Sequence, residues 1–170
     1  DPLPVGRDPW RFGEQGEIAI DDFVAGSLHP LHHPSQQVGA VGVPVTSDPE
    51  HAFLPTAAML ARAVRGARML VLNSPSNPTG AVYGADELRA LAGVLERHPS
   101  VHIISDDMYE HVLFDGRPFA TLAAIAPQLA ERTLTVNGVS KTFAMTGWRL
   151  GYACGPAELI RAMARMQGQS

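Results

Sequence analysis

Three short apolar runs limit what this chain can fold into: Arg68-Met-Leu-Val-Leu72, Val101-His-Ile-Ile-Ser105 and Thr133-Leu-Thr-Val136, each ending abruptly in polar residues. Continuous rather than alternating apolar runs of this length mark strands covered on both faces. Between the first two lies a helical pattern over Ala85 to His98, with Leu88, Leu91, Ala92 and Leu95 on one stripe, Asp86 and Glu87 near its positive end, and Pro99 closing it. Strand and helix alternating in this order predict an α/β fold: a three-layer α/β/α arrangement around a mostly parallel sheet.

The flanking segments extend the pattern. Val38 to Val45 reads as a further strand, and Phe53 to Arg65 as a helix opening near Pro55 with Met59, Leu60, Ala63 and Val64 on its apolar face. Leu122 to Ala130 reads as helical, Leu150 to Cys154 as a last strand, and the segment from Pro156 as a helix carrying Leu159, Ile160, Met163 and Met166. Residues 1–37, with prolines at 2, 4, 9, 30 and 34, read as mostly irregular. His29-Pro-Leu-His-His33 invites a metal site, but without carboxylate or cysteine at a ligand spacing it reads as a polar loop, and no metal is expected.

Composition removes several function classes. A net charge of -4 without any basic run argues against nucleic acid. No stretch approaches the ~18 consecutive apolar residues of a membrane span, and the N-terminus lacks a signal-peptide pattern, so no membrane association is expected. The single cysteine, Cys154, lies in the apolar run Tyr152 to Gly155; a buried structural thiol, a reducing compartment and hence the cytoplasm are expected.

The chemistry gathers where the apolar runs stop. Asn73-Ser-Pro-Ser-Asn-Pro-Thr-Gly80 follows the first, Asp106-Asp-Met-Tyr-Glu110 the second, and Asn137-Gly-Val-Ser-Lys-Thr-Phe-Ala-Met-Thr-Gly-Trp-Arg-Leu-Gly151 the third. In a parallel sheet such ends line one edge, where ligands bind. Lys141, set among apolar residues, is expected in an apolar pocket that favours a free amine able to attack a carbonyl. Arg149 offers a planar fork suited to a phosphate. Asp107 and Glu110 suggest solvated or capping carboxylates.

These three segments resemble the class I/II aminotransferases, the fold-type I family dependent on pyridoxal 5'-phosphate, and most closely its aspartate aminotransferase branch. The resemblance rests on Asn73 to Gly80, Ser105 to Glu110 and Ser140 to Tyr152, and covers roughly residues 39–170. It implies that Lys141 forms a Schiff base with the cofactor and then moves the substrate's α-proton. It implies that Asp106 pairs with the protonated pyridine nitrogen, that Tyr109 and Asn77 hydrogen-bond the ring's phenolic oxygen, and that Arg149, helped by Ser140, holds the phosphate. Amino-acid and 2-oxo-acid substrates, with aspartate favoured, and a homodimer follow from the same resemblance.

Parts of the family pattern have no counterpart. Nothing before residue 38 resembles the loop that binds the far side of the phosphate, nor is the aromatic that stacks on the ring identifiable, Trp10 being a poor candidate. Nor does the sequence contain the small domain that supplies the arginine for the substrate's α-carboxylate. The expectation is an unmatched segment over 1–37 followed by the central part of the cofactor-binding large domain over 38–170. The alternatives are another fold-type I reaction, as in lyases and synthases, or a truncated cofactor-binding module without activity. A ligand-sensing regulator would need a basic helix-turn-helix segment, which the sequence lacks.

Overall fold

The computed structural model describes residues 42–167. The segment 1–37, with Trp10 and the His29 to His33 cluster, lies outside the described residues. Four strands form one sheet in the order β1 (Met69–Asn73), β2 (His102–Asp106), β3 (Thr133–Gly138), β4 (Gly151–Cys154). The first three are parallel, with Asn73 opposite Asp106 and Asp106 opposite Val136, while β4 runs antiparallel to β3. The expected α/β architecture with a mostly parallel sheet is what the chain forms.

Helix α1 (Ala57–Ala63) starts where Thr56 Oγ1 accepts the Met59 N–H at 3.3 Å. It is shorter than the sequence suggested, because Ala52 and Phe53 take left-handed backbone conformations (φ 53° and 59°) that no helix continues through. Helix α2 (Ala85–Glu96) opens at Gly84, whose N–H donates to Glu87 Oε2 at 2.7 Å. The short α3 (Leu122–Ile125) passes into a 3-10 turn over Pro127–Arg132, and α4 (Ala157–Gln167) follows β4. The strand expected over 38–45 is not formed in its described part, residues 42–45, where Pro44 lacks the N–H that a ladder needs.

The core sits on one face of the sheet. Leu70, Leu72 and Ile103 point from the strands into a cluster with Leu60 and Val64 of α1, Leu88, Leu91, Ala92, Val94 and Leu95 of α2, and Leu122 of α3. Burying each leucine side chain here contributes about 2 kcal/mol, so α2 is held mainly by its stripe and not by helix propensity. Its far end is closed from a distance: the Arg132 guanidinium donates to the carbonyls of Leu95 at 2.7 Å and His98 at 3.2 Å, and also to that of Val101. These acceptors include helix-end carbonyls without intrahelical partners. Arg132 thereby ties the end of α2 to the approach to β2 and the start of β3.

Strand alternation sends the neighbouring residues the other way. Val71, Asn73, Ile104 and Asp106 face away from this helical layer, and at the C-terminal ends of the strands that leaves Asn73 and Asp106 side by side.

Candidate active site

The six candidate residues lie at or beyond the C-terminal ends of β1, β2 and β3. Asp106 is the last residue of β2 and is buried, 7% exposed. Its Oδ1 accepts the Met108 N–H at 3.0 Å, turning the chain so that Tyr109 stands just past the strand. A second turn bond, Glu110 N–H to the Asp107 carbonyl at 2.9 Å, fixes the tyrosine's place.

Lys141 and Arg149 belong to one loop, and the sheet explains why. The antiparallel pairing of Gly138 with Gly151 closes the mouth of residues 139–150, with Val139 N–H donating to the Leu150 carbonyl at 3.2 Å. A side chain at 138 is excluded: a Cβ there would sit 2.8 Å from the Leu150 carbonyl oxygen. Inside the loop, Phe143 N–H donates to the Val139 carbonyl at 3.2 Å and Trp148 N–H to that of Met145 at 3.2 Å, so the chain folds back on itself. Ala144 and Arg149 are left-handed, with φ 52° and 51°, at a cost of roughly 1–2 kcal/mol each. The loop is thus held against local preference.

Lys141 is exposed, which corrects the expected apolar pocket: its Nζ stands 5.8 Å from the centroid of the Tyr109 ring, facing an aromatic surface on one side and open space on the other. Ser140, before it, is half-buried. Arg149 is exposed and its guanidinium donates to the Thr146 carbonyl at 3.3 Å.

Asn77 lies in the loop after β1, before Pro78, with both Ser74-Pro75 and Asn77-Pro78 bonds cis. Its side chain is exposed, and its backbone N–H donates to Asn73 Oδ1 at 2.9 Å. The structure therefore brings Lys141 to Tyr109, sets Arg149 on the same loop as Lys141, and ties Asn77 back to the end of β1.

Two residues stand differently from their sequence reading. Asp107 is not solvated; it is 4% exposed, with Ser105 Oγ donating to Oδ1 at 2.9 Å. Burial pushes its carboxyl up to about 6, opposed in part by that hydroxyl. Tyr152, on β4 opposite Asn137, is held above the usual phenol range by partial burial, then by Glu110 and Asp107. Cys154, expected to be buried, is exposed, because β4 alternates and both Tyr152 and Cys154 face outward. Asn73, a polar side chain closing an apolar strand, is buried opposite Asp106.

The donor set suits a ligand with a cationic ring nitrogen at one end and a phosphate at the other: a buried carboxyl at Asp106, a phenol at Tyr109 just past the same strand, an exposed carboxamide at Asn77, an amine at Lys141 facing the Tyr109 ring, and a guanidinium at Arg149. Residues 36–170 match the family described as aminotransferase class I and II. An aspartate/prephenate aminotransferase of Cereibacter sphaeroides is 49% identical over 153 residues, covering 88% of this chain and 38% of that protein. The crystal structure of the aspartate aminotransferase from Rhizobium meliloti aligns with a TM-score of 0.74 at 53% identity, over 75% of this chain and 32% of that one. Aspartate aminotransferase from Thermus thermophilus with maleate aligns with a TM-score of 0.72 at 46% identity, over 79% and 34%. The chain spans well under half the length of these relatives.

Proposed function

We propose that this chain, which belongs to the class I and II aminotransferases, contributes the cofactor-holding part of a transaminase acting between an amino acid of the aspartate kind and a 2-oxo acid. What carries the reading is the meeting of Lys141 and Tyr109 beyond a buried Asp106, at strand ends that also present Asn77 and Arg149.

Lys141 would hold pyridoxal phosphate through its aldehyde, and that group would supply the electron sink that lets an α-proton leave. Asp106 holds a proton on the ring nitrogen, and its burial strengthens that pairing by keeping water away. Tyr109 and Asn77 donate to the ring oxygen and orient the ring. Arg149 grips the phosphate through its planar fork, with Ser140 beside it. Lys141 would also serve as the base that carries the proton at the substrate's α-carbon; its exposed side chain has room for that movement. A cytoplasmic homodimer is the assembly the resemblance suggests.

Adding pyridoxal phosphate to the purified chain tests the reading. A new absorbance band in the wild type, absent from a folded Lys141→Ala variant, is expected; no lysine-dependent band sinks it. Amino transfer from aspartate to 2-oxoglutarate is the matching activity, whereas loss of the α-hydrogen without amino transfer favours a lyase or synthase on the same scaffold.

A further inference from the structure

Asn73 closes β1, is 7% exposed, and makes two hydrogen bonds of opposite sense. Its Nδ2 donates to the Asp106 carbonyl oxygen at 3.4 Å, and its Oδ1 accepts the Asn77 N–H at 2.9 Å. The partners dictate this orientation, since a carbonyl only accepts and an N–H only donates. Asp106 lies directly opposite Asn73 in the sheet, and its carbonyl also takes the Ser74 N–H at 3.2 Å. Asn77 itself is in an exposed stretch; local closures there include Gly80 N–H to the Ser76 carbonyl at 2.8 Å, Ser76 N–H to that of Ala81 at 2.9 Å and Ala81 N–H to Thr79 Oγ1 at 3.2 Å, none of which reaches β2.

We propose that Asn73 is a positioning residue for this site: its carboxamide holds Asn77 at a set distance from Asp106, so that the groups on the oxygen side and the nitrogen side of the pyridine ring are placed together. The inference rests on the cofactor reading above. The side-chain requirement is narrow. Aspartate can accept from Asn77 but cannot donate to Asp106, leucine of similar shape does neither, and alanine leaves the part-buried Asn77 N–H without this acceptor while the Asp106 carbonyl keeps only the Ser74 N–H.

The test follows the pH titration of the absorbance band in the chain loaded with pyridoxal phosphate, for wild type, Asn73→Ala and Asn73→Asp, with Asn77→Ala as reference. Hydrogen exchange of the Asn77 amide is measured in parallel without cofactor. A donor to the ring oxygen favours the deprotonated form of the linked lysine, so a misplaced Asn77 raises the titration midpoint. Asn73→Ala is expected to shift it upward by about one pH unit, in the same direction as Asn77→Ala. It is also expected to speed exchange of the Asn77 amide about tenfold, and Asn73→Asp to restore that protection by keeping the acceptor. Should Asn73→Ala not fold, Asn73→Ser, too short to span both partners, carries the same comparison. A variant that loses thermal stability yet titrates like wild type overturns the inference and leaves Asn73 a structural residue. A wild type without the lysine-dependent band overturns the cofactor reading and this inference with it; a wild-type band unmoved in the Asn73 variants overturns this inference alone.

Discussion

A single carboxyl, Asp107, makes the chain's stability depend on pH in the direction opposite to most acids. Unfolded, it loses its proton near 3.8; folded, burial keeps the proton until about 6. Between those values the folded state binds more protons, so this group's contribution falls as pH rises through the window and is level above it. The swing is at most about 3 kcal/mol. Urea unfolding of wild type and Asp107→Asn at several pH values between 4 and 7 isolates it: the variant gains on the wild type up to about pH 6, and a constant difference refutes the assignment. At this scale the sequence was readable for residue type and for placement at or beyond a strand end, as with Asp106, Tyr109, Lys141 and Arg149. It was unreadable where the role depends on what a side chain touches. Asn73 is one of several polar residues after the first apolar run, Asp107 reads as a solvated or capping carboxylate, and the exposure of Lys141 and Cys154 depends on how one loop and one edge strand are turned.

Among the elements, β3 and β4 carry the site's most constrained packing. A methyl group at Gly138 meets backbone atoms, the Leu150 carbonyl oxygen at 2.8 Å and Gly151 Cα at 3.3 Å, which cannot rotate aside. Gly138→Ala is therefore expected to cost about 1–3 kcal/mol and, by spreading the mouth of residues 139–150, to weaken cofactor binding as well. Thermal unfolding and cofactor titration of one sample check both, and an unchanged affinity in a destabilised variant counts against the link. Strands β1 to β3 were legible because buried parallel strands are apolar throughout, and α2 because its stripe is complete. The helix at 53–65 was overextended, since nothing in the sequence marks Ala52 and Phe53 as left-handed. The strand over 38–45 rested on alternation alone, and Pro44 defeats it in the described part. The reversal of β4 has no compositional mark: its direction follows from the loop that precedes it.

For the whole molecule, a ligand held by groups beyond β1, β2 and β3 would clamp one edge of the sheet, and binding to the folded state alone stabilises it by mass action. At a cofactor concentration one hundred times its dissociation constant the gain is about 2.7 kcal/mol, visible as a raised melting temperature. Arg149→Ala is expected to lose most of the rise at the same concentration while melting normally without cofactor; an equal rise in both proteins removes Arg149 from the phosphate grip. The core itself needs no ligand, because α1, α2 and α3 seal one face of the sheet with leucine, valine and isoleucine. Lys141 and Arg149 share one loop whose mouth is fixed by strand register. That makes the sheet a reading frame for the loop. Residues gained or lost at 142–148 would change the loop's interior and leave its two feet in place, whereas a slip of one residue between β3 and β4 would turn Tyr152 and Cys154 inward and carry Arg149 to the opposite side.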